Sequence, residues 1–275
     1  MDTARALPQI HHTALVDASA AIGANVKIGP YCTIGANVTL HDNVHLVSHV
    51  VVDGHTTVGA DTIVHPFASI GRPPQHLKYR GEPSRLIIGN NNTIREHVTM
   101  HTGTTEGGME TRVGSHCFFM VGSHVAHDCV IEDHVILTNA VALGGHVHVG
   151  EYAILGGLSG VHQYVRIGKH AMIGGCSGVE TDIIPYGSAK GNRARLSGLN
   201  VIGLKRRGFS REDVRALRTA YGLLFSQGGT MAERLNEVAD LFTSHEGVMD
   251  IINFIRADSS RALCTPHSGS NGNGG

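Results

Sequence analysis

Residues 121–150, VGSHVAHDCVIEDHVILTNAVALGGHVHVG, place an aliphatic side chain at every sixth position: Val125, Ile131, Leu137, Leu143 and Val149. Counted outward in sixes, the pattern reaches back to Val113 and forward to Val179. A second run extends from Ile10 to Ile70, and a third from Ile88 to Met100. All 26 positions are apolar and 24 are Ile, Leu or Val, in a chain only 41% hydrophobic, so chance does not produce the pattern. At twelve of them the next residue is Gly. A period of six matches neither the 3.6 of a helix nor the 2 of a plain strand. One inward aliphatic, a short strand and a turn per six residues describe a parallel β-helix. Three hexads close a triangular coil, so residues n and n+18 stack about 4.8 Å apart and the whole prism is ~40 Å long.

The two breaks in register predict loops thrown out of the prism at 72–86 and 102–112. The first, RPPQHLKYRGEPSRL, holds three prolines and five basic or histidine side chains; the second, TGTTEGGMETR, is rich in Gly and Thr. Insertions of this kind cluster on binding faces of solenoids, and the basic, Pro-stiffened first loop reads as the more purposeful. After Val179 the period changes. Ser210 and Asp213 form a capping-box signature before Val214, Leu217, Tyr221 and Leu224, which share a helical face. Further helices are expected from Thr230 through Phe242 and from Val248 to Ile255. The expected organisation is a β-helix over 1–190, a helical region over 191–264 and a tail without fixed structure over 265–275.

Composition narrows the function. With 22 Lys+Arg against 23 Asp+Glu, no bulk attraction to nucleic acid or an anionic membrane is indicated. No apolar run approaches the roughly 18–20 residues needed to span a bilayer, and MDTARALPQIHH lacks the pattern of a signal peptide. Five cysteines, odd in number and without CxxC spacing, read as reduced thiols of a cytoplasmic protein.

Most of the 20 histidines, among them His41, His55, His116 and His170, fall at turn or outward positions and read as surface groups. VGSHVAHDC differs, because it carries His124, His127 and Asp128 together. One coil on, Gly145 stacks on His127 with His146 beside it; two coils on stand His162 and Gln163. These groups must lie in adjacent layers of one face or edge. An imidazole with a pKa near 6.5 suits removal of a proton from a hydroxyl, and a glycine N–H could receive an oxyanion. Asp128 could orient the imidazole, provided a bend brings two successive side chains to the same side. A ladder of histidines that merely stacks between coils explains the same spacing. Zinc held by three histidines is a third reading, ranked low because His124 and His127 are only three positions apart.

VGSHVAHDC, LGGHVHVG, LSGVHQY, MIGGCSGV, GNRARLSGLN and GLKRRGFSRE, with QHLKYRGEPSR in the first loop, together resemble the UDP-N-acetylglucosamine acyltransferases of lipid A synthesis, from about residue 10 to residue 262. Resemblance to hexapeptide-repeat proteins implies left-handed coiling, against the usual right-handed crossover. The family resemblance implies a homotrimer and transfer of a 3-hydroxyacyl chain from acyl carrier protein to the sugar 3-position, without a cofactor or metal. It implies His127 as base, Asp128 as its acidic neighbour and the Gly145 N–H as oxyanion donor. His124, His146, His162 and Gln163 would hold sugar and acyl chain. Gln75 and Lys78 would reach in from the adjacent subunit, and Asn200, Arg206 and Arg207 would serve the nucleotide and phosphates, for which the arginine fork is suited. Gly175 stands where acyl length is measured, and glycine leaves room for a longer chain. Two positions depart from the family pattern: His76 replaces a common Asp, and Ile202 a common Glu. His76 can donate or accept where a carboxylate only accepts, which raises a 3-amino acceptor as a possibility.

Four other classes remain open at this point. A related N-acyltransferase of the same pathway would carry an additional N-terminal domain, whereas the repeat here begins by Ile10. A CoA-dependent acetyltransferase would not explain GLKRRGFSRE, whose basic surface suits an acidic carrier protein. A zinc-dependent γ-type carbonic anhydrase and a non-catalytic scaffold complete the set.

Overall fold

The computed structural model describes residues 7–267. The first full coil already shows its repeat: Gln9 pairs with Lys27 and Lys27 with His45, all in parallel strands. Sheets of eleven, nine and eight strands form three faces, parallel throughout except for one antiparallel strand at the end of the first. The fold is a left-handed parallel β-helix followed by helices.

The sixth-position aliphatics fill the prism. From Ile28 to Val179 they are at most 4% exposed, and each contributes ~1.5–3 kcal/mol by burial. Ile10, whose strand pairs on one side only among the described residues, is 46% exposed. Two residues before each aliphatic lies a smaller interior slot, filled by Val26, Val44, Ala153 and three of the cysteines, Cys32, Cys117 and Cys129, all buried. Burial pushes the Cys117 and Cys129 thiols up to about 12, so they are packing groups and not nucleophiles. Among the described residues all five cysteines are free.

Three residues before the aliphatic the chain turns a corner in the left-handed region. Eighteen non-glycine residues adopt φ of 53–65° there, each at ~1–2 kcal/mol of strain. Asn and Asp tolerate this; at most of the other corners, Ala140, Leu158 and Cys176 apart, rings occupy the position. One column runs Tyr31, His49, Phe67, His97 and another His116, His134, Tyr152, His170, Tyr186, with centroids 4.4–5.5 Å apart. Ring stacking of ~0.5–1.5 kcal/mol per pair offsets the turn strain. His41, His55 and His116 are exposed as expected, but His170 is buried, covered by Tyr186 and the edge of Phe209.

Both insertions leave the same corner. The first separates strands Ser69–Arg72 and Arg85–Ile88, the second Thr99–His101 and Glu110–Val113. Each is narrower than the register break suggests, because Arg85 and Leu86 already pair with His55 and Thr56 below and with Glu110 and Thr111 above.

Past the prism, strand Arg195–Leu199 folds back antiparallel on Gly187–Lys190, so β-structure continues beyond residue 190. Four helices follow: α1 Val201–Arg206, α2 Arg211–Leu224, α3 Met231–Leu241 and α4 Glu246–Arg256. Ser210 and Asp213 make the reciprocal capping bonds at the start of α2. No sequence pattern marks α1, six residues opened by Asn200 as N-cap. Tyr186 donates its hydroxyl to Asp250 at 2.5 Å and Lys169 pairs with the same carboxylate at 2.8 Å, which joins α4 to the prism. Thr265 and Pro266 bridge to Leu196 and so have defined structure; the rest of the expected tail, 268–275, lies outside the described residues. Among the described residues no helix is long and apolar enough to cross a membrane.

Candidate active site

His127 and Asp128 lie at the corner from which both loops depart. Asp128 is itself the turn residue, with φ 59°, and this supplies the bend that their contact requires. His127 Nδ1 meets Asp128 Oδ2 at 2.7 Å, with both residues buried. The carboxylate also takes the Thr104 N–H on Oδ1 at 2.7 Å and the Thr104 hydroxyl on Oδ2 at 2.6 Å. An ionised carboxylate only accepts. His127 Nδ1 therefore carries the proton of that bond, and Nε2 keeps a lone pair. The second loop, which the sequence made look the less purposeful, is what fixes Asp128. A Cβ at Gly107 would sit 2.0 Å from Asp128 Cγ, so the loop closes this tightly only with glycine there.

A cavity of about 500 Å³ opens beside the pair, walled by Gln75, His124, His127, Gly145, His162 and Gln163. Its floor is smooth because Ala142, Gly160 and Gly178 stack in register above His124. The His127 ring lies over Gly145, where an added Cβ would approach Cε1 to 2.4 Å. At equivalent places in other coils the N–H donates to a side chain of the next layer, Ala24 to Asp42 at 2.7 Å and Ser115 to Asp133 at 2.7 Å. In the coil of Gly145 that place belongs to Gln163, which is exposed, and the Gly145 N–H has no protein acceptor among the described residues. A free N–H next to a base with a lone pair is the arrangement acyl transfer uses.

Burial lowers the pKa values of three surrounding imidazoles. His124 bonds Thr99 Oγ1 through Nδ1 at 2.7 Å, and burial, then the nearby His127, lowers its pKa. His101, buried behind it, is brought down to about 4 by burial first and by His124 and His127 next. His146 stacks on Tyr164 at 4.3 Å and is lowered mainly by burial, which Asp128 partly opposes.

The first loop folds over its own chain's corner. Gln75 lines the cavity, and the His76 ring stands edge-on to His127 at 5.0 Å. The placement expected for Gln75 and Lys78, in an adjacent subunit's site, is therefore corrected: the loop departs from the His127 corner, two coils below it. Lys78 turns to Glu106 at 2.6 Å, and His76 Nε2 stands 3.7 Å from the same carboxylate. Sequence reasoning missed Thr104 and Glu106, since neither spacing nor period marks a residue inside a loop.

Four expected residues stand elsewhere. Gly175 is exposed and does not line the cavity. Asn200 caps α1 and donates to the His170 carbonyl at 2.9 Å, and Arg207 donates to the Tyr152 carbonyl at 2.9 Å. Both belong to the column of rings on a different edge from His127; Arg206 is exposed beside them. Ligand atoms of His127, Asp128 and His146 lie within 4.8 Å of one another. A cation there would compete with Thr104 and the His127 Nδ1–H for oxygens already engaged.

Known proteins match this architecture. Residues 8–42 and 19–54 match the family described as bacterial transferase hexapeptide (six repeats), and residues 182–264 that described as UDP N-acetylglucosamine O-acyltransferase, domain 2. The acyl-[acyl-carrier-protein]–UDP-N-acetylglucosamine O-acyltransferase of Caulobacter vibrioides is 54% identical over 208 residues, 76% of this chain and 79% of that one. Its counterpart in Methylobacterium radiotolerans is 55% identical over 203 residues, 74% and 75% of the two chains. Among solved structures, LpxA from Acinetobacter baumannii superposes with a TM-score of 0.87 at 41% identity, covering 93% of this chain and 99% of that one. The LpxA of Moraxella catarrhalis gives 0.90 at 42%, with coverage of 93% and 99%. Fold and site define a hexapeptide-repeat acyltransferase. The chain belongs to the family of acyl-[acyl-carrier-protein]–UDP-N-acetylglucosamine O-acyltransferases, which sets aside the carbonic anhydrase and scaffold readings.

Thr104→Val keeps the shape of the side chain but removes one donor to the buried carboxylate. A loss of about 1–3 kcal/mol in unfolding free energy is expected in denaturant titration. His101 titrates near 4 when folded against an ordinary 6.5, so between these values the unfolded chain binds the proton and the folded chain does not. Its contribution is complete above pH ~6.5 and is lost as pH falls towards 4. His101→Phe should flatten the thermal midpoint over that window, leaving the similar slope due to His170, which burial also holds near 4.

Proposed function

We propose that the protein transfers a 3-hydroxyacyl chain from acyl carrier protein to the 3-position of UDP-N-acetylglucosamine, the first step of lipid A synthesis, with His127 as general base. The observation that carries this is His127 itself, tied through Nδ1 to a buried carboxylate and opening Nε2 to a cavity beside the unclaimed Gly145 N–H. Nε2 takes the proton of the 3-hydroxyl as its oxygen attacks the acyl thioester. The carbonyl oxygen gathers charge at the Gly145 N–H. Collapse expels the carrier thiolate, which recovers the proton from His127, and the products are an ester and a free thiol. Asp128 keeps the imidazole in the required tautomer and stabilises its protonated form.

His124, His146, His162 and Gln163 hold the sugar and acyl chain in this reading. Asn200, Arg206 and Arg207 serve the nucleotide and phosphates of a neighbouring copy's site, because their edge of the prism is not the His127 edge. That division supports a homotrimer with sites between prisms. Exposed Ile202 offers no polar contact there, and exposed Gly175 carries no side chain that would limit a long acyl chain. The setting is cytoplasmic, where acyl carrier protein is supplied.

One observation favours a second acceptor. His76 and Glu106 place an imidazole and a carboxylate beside His127, a setting that suits a 3-amino sugar, whose ammonium must lose a proton before attack. The product is then an amide.

His127→Ala should lower kcat/KM by about 10²–10⁴, measured with 3-hydroxyacyl carrier proteins of several lengths. Run beside its 3-amino analogue, UDP-N-acetylglucosamine distinguishes ester from amide formation, and a clear hydroxyl preference removes the second acceptor. His127→Ala and Arg207→Ala proteins, each of low activity, should regain activity when refolded together as mixed oligomers. No regain would place both residues in one chain's site.

A further inference from the structure

After α4 the chain returns to the prism and is clamped there. The Asp182 N–H donates to the Ala262 carbonyl at 2.9 Å, and the Cys264 N–H donates to the Asp182 carbonyl at 2.8 Å. The buried Asp182 carboxylate takes the Arg166 guanidinium at 2.7 Å and the Ser259 hydroxyl at 2.6 Å. Arg166 in turn lies 4.4 Å above the Phe254 ring. Residues on either side of Arg261 are thus fixed by contacts that do not involve its side chain.

Arg261 reaches the cavity wall. Its Nε donates to the Gln163 carbonyl at 2.8 Å, and its Nη2 meets His162 Nδ1 at 2.5 Å. A guanidinium only donates, so Nδ1 of His162 is the acceptor and the ring proton resides on Nε2. Both anchored groups belong to consecutive cavity residues. We propose that Arg261 is a positioning residue for acyl transfer, setting the tautomer and ring orientation of His162 and the path of Gln163, so that His162 presents a fixed Nε2–H donor to the bound substrate. The inference rests on the reading of this cavity as the acyl-transfer site. It also gives the segment after α4 a part in the chemistry of its own chain: the helices carry the strap that returns to the reaction cavity.

A strap that merely holds helices to prism and one that tunes His162 differ in a double-mutant cycle. Arg261→Ala, His162→Ala and the double variant are compared in steady-state transfer from 3-hydroxyacyl carrier protein to the UDP-sugar. Arg261→Ala is expected to lower kcat/KM by ~10–100-fold, the scale of a misplaced contact group, with an unchanged thermal midpoint. In the His162→Ala background the same change should cost less than about threefold, since the imidazole is gone and only the Gln163 carbonyl contact remains to be lost. Added guanidinium should restore part of the Arg261→Ala activity and none in the double variant. Additive losses with no rescue, or a fall in activity matched by a fall in thermal midpoint, would overturn the proposal while leaving the His127 reading intact. Absence of transfer by the wild-type protein would overturn both.

Discussion

Parallel strands in this prism stand at the ordinary spacing of about 4.8 Å, and that distance decides what every side chain touches. Along the axis, a residue's neighbours are those eighteen positions away, except where an insertion intervenes. An aliphatic must therefore recur on all three faces, or a hole would open that adjoining layers cannot close. The small slot two residues earlier obeys the same limit, which is why cysteines sit beside valines and alanine there. At the corners the constraint becomes electrostatic and aromatic: rings whose backbones are strained into the left-handed region are brought face to face and recover part of that strain.

The reactive pair draws on the same geometry. Asp128 occupies a corner position that carries His146 and Tyr164 in the next two coils, and the turn points its carboxylate back along the chain at His127. A buried carboxylate without partners would be costly. Thr104 removes that cost from a loop that leaves the same corner one coil earlier, and Gly107 lets the loop come close enough. Solenoid and loop thus divide the work: the repeat sets which residues are adjacent, and the insertion supplies donors that a six-residue unit has no room for. Stacking explains a share of the histidines, His49, His97, His134 and His170 among them. Those four stand on the other two edges, and on the His127 edge itself His146 stacks on Tyr164, so the ladder and the chemical reading coexist.

What could be read from the sequence follows from this division. The count in sixes located the faces, the core and the layers that bring His127, Gly145 and His162 together, because those contacts are periodic. Asp128 was legible as a neighbour but not as a turn residue. Thr104, Glu106 and Arg261 were not legible, since their places depend on the paths of two loops and a strap, and no period governs those. Helix α1 escaped because six residues carry no amphipathic signal above a basic turn. The expectation that Gln75 and Lys78 act across a subunit boundary failed for a related reason: a loop's point of departure fixes its corner, and only the folded chain reveals where it lands.

The shared corner has one more implication. A solenoid resembles a screw thread: removing a third of a turn rotates everything beyond the cut onto another face, whereas removing a full turn only shortens the screw. The prism can therefore change length only in whole turns if its reactive edge is to stay straight. Every other gain or loss of residues has to occur where the thread already departs from its cylinder. In this chain both such departures lie on the edge that carries His127. The part of the molecule freest to vary in length is thus the part that frames the substrate, and the rest is held to whole turns by its own pitch.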